Sequence, residues 1–483
     1  MLVIAYPVDA AFLQSELVCQ VQRIAKFRQM HDLLDAVLAD ARVRLAMRHD
    51  LVKPGSQAGW NGRRAIPLQV TGRLAVVRHL MGWGYRTLAE EVAASVGWRW
   101  VCQMYNEPMP NFRTIQGREK LLKPKTLRLI NATVVCLGQA AGVTMGQSLR
   151  LDSTVTETNI HFPTDSSLLD DAARVLSRLL VEARHVVQHP TQPGQKAFFR
   201  DRHRQARRLT RQIGQLARTH AKKGAKSLEK PSVRLYTQLV GLVEKLVAQV
   251  ELVQPLLARQ KSPLAEGLNL EFETYLPLVR QVVTQTRQRV LQGIKVPAAD
   301  KIVSLFEPHT YVICRGKSKP KDTEFGHKVW FAEVDGGLIT EYRILEGNPP
   351  DACPVIRSVK QHRKQFGKAP RRLCGDRGLF SPDNERQARA LGVRQVCLPQ
   401  PGHKTARRKR KERQPWFRAA LRFRNGIEGR ISQLRRARHL TRCLNRGLAG
   451  MERWIGWGVI ANNLATIALN LNRRHLSLTD ALA

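Results

Sequence analysis

The sequence has few acidic residues for its length. It contains 39 Asp and Glu against 80 Lys and Arg in 483 residues, a formal net charge of +41. An excess of positive charge of this size destabilises a folded protein, because the like charges repel one another. It is therefore typical of proteins that bind a polyanion, most often nucleic acid. Aromatic residues make up only 6% of the chain, so base stacking is not the expected mode of contact. The composition predicts a nucleic-acid-binding protein that contacts mostly phosphates.

Paired cysteines and uninterrupted apolar runs are also missing. The eight cysteines include no C-x-x-C pair, which argues against a zinc site or a disulfide scaffold and favours reduced, packed thiols. The longest apolar stretch, residues 451–471, is interrupted by Glu452, Arg453 and Asn462, which predicts a buried helix rather than a membrane span. The N-terminal stretch has no basic leader of the signal-peptide kind. We therefore expect a cytoplasmic, nucleoid-associated protein without a membrane partner.

Residues 1–145 are predicted to form a helical N-terminal domain. In the segment 84–100, Thr87 and Glu90 have the spacing of a capping box ahead of a helix. A second short helix is predicted within 110–124. Such a pair is typical of a helix-turn-helix-like DNA-binding unit, and plain bundle packing explains it equally well.

The rest of the chain alternates between strand and helix patterns. Residues 146–165 contain a first strand, 166–297 read as an all-helical insertion, and 298–475 return to mixed strand and helix patterns. Strands are predicted at 302–306 and 311–317, followed by a hairpin that turns at Asp335-Gly336-Gly337. Residues 371–401 read as strand, helix, strand, which implies parallel neighbours.

Three acids stand out from these elements. Asp152 interrupts a β-branched strand pattern, and Asp376 follows a predicted parallel strand, at the sheet edge where ligands bind. Glu428 lies on a late helix, with Arg424 four residues before it and Arg435 seven after it on the same face. Clustered acids repel one another unless divalent cations bind them, and Mg²⁺ prefers such oxygen ligands. We call Asp152, Asp376 and Glu428 the acidic triad. Taken singly, each is also explained as a turn residue or a solvated helical acid.

This layout predicts an α/β, RNase H-like catalytic core with a mixed sheet, a helical N-terminal domain and a long helical insertion. The blocks that carry it, "LRLDSTVTETNIHFPTDSSLL", "HKVWFAEVDGGLITEYRIL", "CGDRGLFS" and "RFRNGIEGRISQLRR", resemble bacterial insertion-sequence transposases of the DDE class, of the ISNCY type. Many such enzymes carry the signature Tyr-x₂-Arg-x₃-Glu-x₆-Lys. This chain matches it at Arg424 and Glu428, has Arg435 in place of the lysine, and departs from it at Leu421, where tyrosine is usual.

The resemblance implies a DDE transposase whose triad binds two Mg²⁺ or Mn²⁺ ions. Such an enzyme cleaves DNA at the transposon ends and joins the freed 3′ end to target DNA. Its partners would be double-stranded DNA, namely the terminal inverted repeats and the target, and a second copy of the chain in a homodimer or larger assembly on DNA. Two alternatives remain open: an RNase H-like nuclease that cuts without strand transfer, and a domesticated or inactive DNA-binding derivative.

Basic residues near the triad are candidate DNA contacts. Arg424, Arg435 and Lys328 could hold phosphates beside the acids, and a solvated role is equally open for each. The segment 403–413 lies between the second and third acids and could reach the same duplex, although a solvated loop would have the same composition. Its candidate residues are Arg407, Arg408, Lys409, Arg410 and Lys411.

Overall fold

The computed structural model describes residues 4–52, 66–187, 201–222, 230–314, 323–347 and 349–483. The chain is a mixed helix and sheet protein, and most of it is helical. It divides into two compact units: the first combines Met1–Asn159 with His327–Ala483, and the second is Ile160–Gly326. The second unit therefore extends beyond the predicted helical insertion, 166–297, at both ends.

The first unit begins with short helices. The helix that starts at Tyr85 is capped by Gly84, whose carbonyl accepts a hydrogen bond from Leu88 N (2.8 Å). Thr87 therefore lies inside this helix. The predicted capping box between Thr87 and Glu90 is wrong, because Gly84 and not Thr87 occupies the N-cap position. The helices are α1 (Ala10–Gln14), α2 (Glu16–Arg23), α3 (Ala25–Ala39), α4 (Ala41–Leu51), α5 (Leu68–Met81), α6 (Tyr85–Ala94), α7 (Val96–Val101), α8 (Phe112–Leu121) and α9 (Pro124–Ala140).

The second unit is built on long helices around a core of its own. Side chains such as Leu176, Leu239 and Phe272 pack together in that core and are almost fully buried. The first helix begins with a capping box between Thr164 and Ser167, which satisfies two backbone N–H groups of its first turn. The helices are α10 (Asp165–Val186), α11 (His203–Lys222), α12 (Lys230–Ala258) and α13 (Pro263–Thr286).

Within the described residues, seven strands form one mixed sheet. They run in the order β2-β3-β1-β5-β6, with β4 paired to β3 and β7 to β1. The pairs β1–β5 and β5–β6 are parallel, and β2–β3 and β3–β4 are antiparallel. The strands are β1 (Ser148–Thr158), β2 (Tyr311–Cys314), β3 (Thr323–Val334), β4 (Ile339–Ile344), β5 (Arg372–Cys374), β6 (Gln395–Cys397) and β7 (Arg442–Cys443).

The structure contains the predicted hairpin but not the strand predicted at 302–306. Gly336 and Gly337 have φ angles of +78° and +80°, which explains two glycines in the turn between β3 and β4. Residues 302–306 have no strand partner because the side chain of Gln285 binds both backbone groups of Ile302, at 2.9 and 3.0 Å. Of the strand predicted at 311–317, residues 311–314 form β2, and 315–317 lie outside the described residues.

The remaining helices of the first unit cover the sheet. Phe417 and Ala420 pack with Cys374 and Cys397 of the two parallel strands, and Ile427 is fully buried. The 451–471 stretch is a buried helix, as predicted, and no helix in the described residues is long and apolar enough to cross a membrane. The helices are α14 (Val355–Phe366), α15 (Pro382–Ala390), α16 (Ala406–Arg413), α17 (Pro415–Ala437), α18 (Leu448–Arg473) and α19 (Leu478–Leu482).

Candidate active site

The three acids of the triad meet around one guanidinium group. Arg424 Nη2 lies 3.3 Å from Asp152 Oδ2 and 3.9 Å from Asp376 Oδ2. Its Nη1 donates a hydrogen bond of 2.6 Å to Glu428 Oε1. The three acids are far apart in the sequence. Asp152 lies in a strand, Asp376 in the turn after another strand and Glu428 on a helix, and all three contact the same guanidinium group.

The register of the parallel strands accounts for half of this convergence. Arg150 of β1 is paired with Cys374 of β5. Asp152 is two residues after Arg150, and Asp376 is two residues after Cys374. The two acids are therefore neighbours across the parallel pair of strands, and their side chains project from the same face of the sheet. Helix α17 (Pro415–Ala437) packs over this edge of the sheet and places Arg424 and Glu428 beside the two aspartates.

Asp152 is the most buried acid of the triad, with 15% of its side chain exposed. Burial raises the pKa of its carboxyl group from 3.8 to about 6, although the positive charge of Arg424 and a 2.7 Å hydrogen bond from Ser153 N act against the rise. The charges of Asp376 and Asp351 raise the pKa further. The carboxylate form of Asp152 is therefore costly, and a bound cation would stabilise it.

Asp376 caps the turn that follows β5. Its Oδ1 accepts a hydrogen bond from Leu379 N at 3.1 Å. A side chain at Gly378 would place its Cβ 3.3 Å from Asp376 Oδ1 and 3.9 Å from Asp351 Oδ2. Glycine at this position thus keeps open the space that the two carboxylates border.

Asp351 is a fourth acid beside the triad that sequence reasoning missed. Its Oδ1 accepts a hydrogen bond from Ser153 Oγ (3.0 Å) and lies 3.3 Å from Lys328 Nζ. Lys328, predicted as a phosphate contact, also donates to the Pro349 carbonyl (3.0 Å) and is only 15% exposed. Lys328 is therefore bound beside the triad as an internal partner of Asp351.

Glu333 holds the two elements of the site together. It lies in β3 with a fully buried side chain, which accepts hydrogen bonds from Arg150 (2.7 and 2.8 Å) and from Arg430 (3.1 Å). Arg150 also donates to the Phe423 carbonyl of α17 at 2.6 Å. Because Arg150 and Arg430 each lie two residues from a triad acid, this network fixes β1 and α17 relative to each other.

The oxygen ligands of the triad suit a divalent cation in kind. In their present positions, however, they surround Arg424, and within the described part of the chain no three His, Cys, Asp or Glu side chains are close enough together to hold a metal ion. Glu428 is 65% exposed and forms its hydrogen bond at the surface. The three carboxylates could bind a metal ion only if the guanidinium group of Arg424 moved out from between them.

No protein-family model matches the chain, and neither a curated protein nor a solved structure matches it.

Arg435, the second predicted phosphate contact on α17, lines a separate cavity. This cavity has a volume of about 380 Å³ and is bordered by Trp83, Tyr85 and Trp454 of the same unit. Arg435 is thus placed among aromatic rings, toward the C-terminal end of the helix that carries Glu428.

The basic segment 403–413 contains a helix, α16, rather than a solvated loop. Arg408 forms ion pairs with Glu385 (2.6 Å) and Glu412 (2.8 Å), and Lys411 also pairs with Glu385. These two predicted DNA contacts are therefore used to hold α16 against α15. The other three, Arg407, Lys409 and Arg410, are exposed. For all five residues, binding to DNA stays a prediction.

Proposed function

We propose that the protein is a DDE-class transposase, which cleaves DNA at the ends of a mobile element and joins the freed 3′ end to a target. The observation that supports this proposal most directly is the meeting of Asp152, Asp376 and Glu428 around Arg424. One acid within β1 and one just after its parallel neighbour β5, with a third on a helix packed over them, also support an RNase H-like arrangement. The formal charge of +41 supports DNA as the partner.

In this proposal Asp152, Asp376 and Glu428 hold two divalent cations, Mg²⁺ or Mn²⁺. Cations bound there would supply an activated water and stabilise the departing 3′ oxygen. Arg424 would offset part of the negative charge of the acids before the cations bind. Once displaced, it could bind a DNA phosphate, because it projects from the same helix, α17, as Glu428. Asp152 must release its proton to bind a cation, so we expect cleavage to weaken as the pH falls below about 6.

One observation favours a second candidate, a DNA-binding protein without catalytic activity. Arg424 already forms ion pairs with Asp152 and Glu428 and lies 3.9 Å from Asp376, so the acids have a counter-charge within the fold. In that case the triad would be a structural ion cluster that closes α17 over the sheet.

The deciding experiment incubates the full chain with Mg²⁺ and DNA carrying the inverted repeats that flank its gene. We expect nicks at the repeat boundary together with joined products, and a homodimer or larger assembly on the DNA. Nicks without joining would indicate a nuclease instead. Binding without any cut, in Mg²⁺ and in Mn²⁺, would favour the inactive candidate.

Variants assign the roles within this assay. Asp152→Asn, Asp376→Asn and Glu428→Gln should each reduce cleavage at least about a hundred-fold while DNA binding is retained. Asp383→Asn is the matched control, because Asp383 is an exposed acid at the start of α15 that pairs only with Arg386 and Gln387 among the described residues. Cleavage at the wild-type rate by any triad variant would remove that residue from the proposed site.

A further inference from the structure

Helix α11 of the second unit presents four arginines on one exposed face. Its opposite side buries Ala206, Leu209 and Ile213 in the core of that unit, so the orientation of the helix is fixed by packing. The helical repeat then directs the remaining positions outward. The exposed arginines are Arg204, Arg207, Arg208 and Arg211.

Among the described residues, one acid interacts with this face at longer range: burial raises the pKa of Asp170 on α10, and the positive charge of Arg207 acts to lower it. None of the four arginines forms an ion pair in the described part of the chain, although the second unit contains other arginines that do. Arg174 pairs with Asp171 (2.7 Å), Arg178 with Glu271 (3.2 Å) and Arg287 with Glu244 (2.6 Å), and Arg280 pairs with Glu251. The arginine face of α11, defined as Arg204, Arg207, Arg208 and Arg211, is thus different from the other basic surface of the same unit.

An unpaired face of this kind is unfavourable for the isolated protein. Like charges three and four residues apart on a helix repel one another, and this face contains four such pairs. Its arginines, together with Gln212 and Gln215, line a groove of about 480 Å³. A polyanion seated in that groove would remove the repulsion.

The geometry points to the phosphate backbone of DNA as that polyanion. Guanidinium groups bind phosphate oxygens through two parallel hydrogen bonds, and glutamine amides add further donors. Arg204 and Arg211 are about 10 Å apart along the helix. Since B-DNA carries one negative charge per about 1.7 Å of its axis, several phosphates fall within reach.

We propose that the arginine face of α11 is a docking site for the sugar-phosphate backbone of double-stranded DNA. It gives the second unit a role that the acidic triad does not provide, which is to hold DNA without reading its sequence. The inference shares its DNA partner with the proposed function but does not require the protein to cut DNA.

The test measures binding of the full chain to a duplex of arbitrary sequence, over a series of salt concentrations, in EDTA so that no cleavage occurs. The quadruple variant Arg204→Gln, Arg207→Gln, Arg208→Gln, Arg211→Gln should flatten the slope of log K against log [salt] by about 2 to 4, because each lost phosphate contact removes about 0.9. A matched variant changes Arg174, Arg178, Arg280 and Arg287 to Gln. It removes the same charge from paired arginines and should flatten the slope by less than about 1.

Equal slopes for the two variants would overturn the proposal, because they would show a general effect of net charge. A wild-type slope in the first variant would overturn it as well. Circular dichroism checks that the first variant is folded, and if it is not, the Arg→Lys version of the same four changes replaces it. That version keeps the charge and should keep the slope while its affinity falls several-fold. Tighter binding to an RNA duplex than to DNA, lost in the same variant, would reassign the face to RNA.

Discussion

Two basic helices of this protein have different surroundings. In α16, Arg408 and Lys411 are bound by Glu385, an acid from another helix. In α11, four arginines form no ion pair within the described structure. A run of basic residues therefore does not identify a nucleic-acid surface by itself. What separates the two helices is whether the fold brings a carboxylate to them.

The candidate active site resembles α16, because its basic residues also pair with acids of the protein, and it does so to a greater extent. Arg424 is met by three carboxylates, and Glu333 is met by two arginines. Internal ion pairs of this kind fix the positions of elements, whereas the unpaired arginines of α11 are free to bind a partner. Stability and binding measurements should separate these two classes.

The largest expected change in stability comes from the buried ion pairs of Glu333. Glu333→Gln leaves Arg150 and Arg430 without a counter-charge and should lower the free energy of unfolding by about 3–5 kcal/mol. Urea denaturation of the full chain measures this loss. Glu157→Gln is the control, because Glu157 is partly exposed and, among the described residues, pairs only with the exposed Arg442. This change should cost less than about 1 kcal/mol. Equal losses would show that Glu333 does not hold the site together.

The second prediction concerns the pH dependence of Asp152. Its pKa is raised from 3.8 to about 6 in the folded protein, so the folded state holds its proton more tightly than the unfolded state. Stability from this group is present below pH 3.8 and is lost as the pH rises through about 6, by about 3 kcal/mol in total. Asp152→Asn should therefore be more stable than the wild type at pH 8 and about equally stable at pH 4. Unfolding in EDTA at the two pH values tests this, and a pH-independent difference would contradict it.

A smaller effect distinguishes neighbouring residues of α16. Arg408 is 10% exposed, donates to the Leu398 carbonyl and lies 4.7 Å from the centre of the Phe380 ring, in addition to its ion pairs. Arg408→Ala should cost about 2 kcal/mol. The exposed Arg407 should cost no more than about 0.5 kcal/mol when changed to Ala, and this change should weaken DNA binding. If both changes affect stability equally, the division of α16 into structural and free residues is wrong.

The smallest effect is in α11. Arg208→Gln removes repulsion from Arg204 and Arg211 and should raise the free energy of unfolding by about 0.2–0.5 kcal/mol. Arg178→Gln, which breaks the exposed pair with Glu271, should leave it unchanged or lower it by about 0.5 kcal/mol. Thermal unfolding of the two variants side by side gives the sign. A loss for Arg208→Gln would indicate an internal partner for that arginine.

Local patterns were sufficient for the parts of the site where one segment determines its own structure. The strand, helix and strand around Asp376, and the hairpin at Gly336 and Gly337, form as predicted because their turn residues act on neighbouring backbone. Asp152, Asp376 and Glu428 could be selected from their elements, and the structure brings all three to Arg424. Their role in catalysis stays a prediction.

What sequence could not supply were partners that come from distant segments. Glu333 looks like an ordinary polar residue of a strand until Arg150 and Arg430 are known to reach it. Gln285 replaces a strand partner for Ile302, so an apolar run with strand-like composition forms no strand. Lys328 and Arg408 have acids and carbonyl groups of the protein within reach, which their local sequence does not indicate, and their binding to DNA stays a prediction.

The order of the chain has a consequence for synthesis on the ribosome. Strand β1 is made long before β5, its parallel partner, because the whole of Ile160–Gly326 lies between them in the sequence. The second unit has its own core and can fold as soon as it emerges, while β1 waits with an unpaired edge. Delayed pairing of this kind is slow and exposes nascent chains to misassembly. Slower translation after residue 326 would lengthen the time for which the apolar residues Leu149 and Leu151 of β1 wait for β5, and should lower the yield of folded protein.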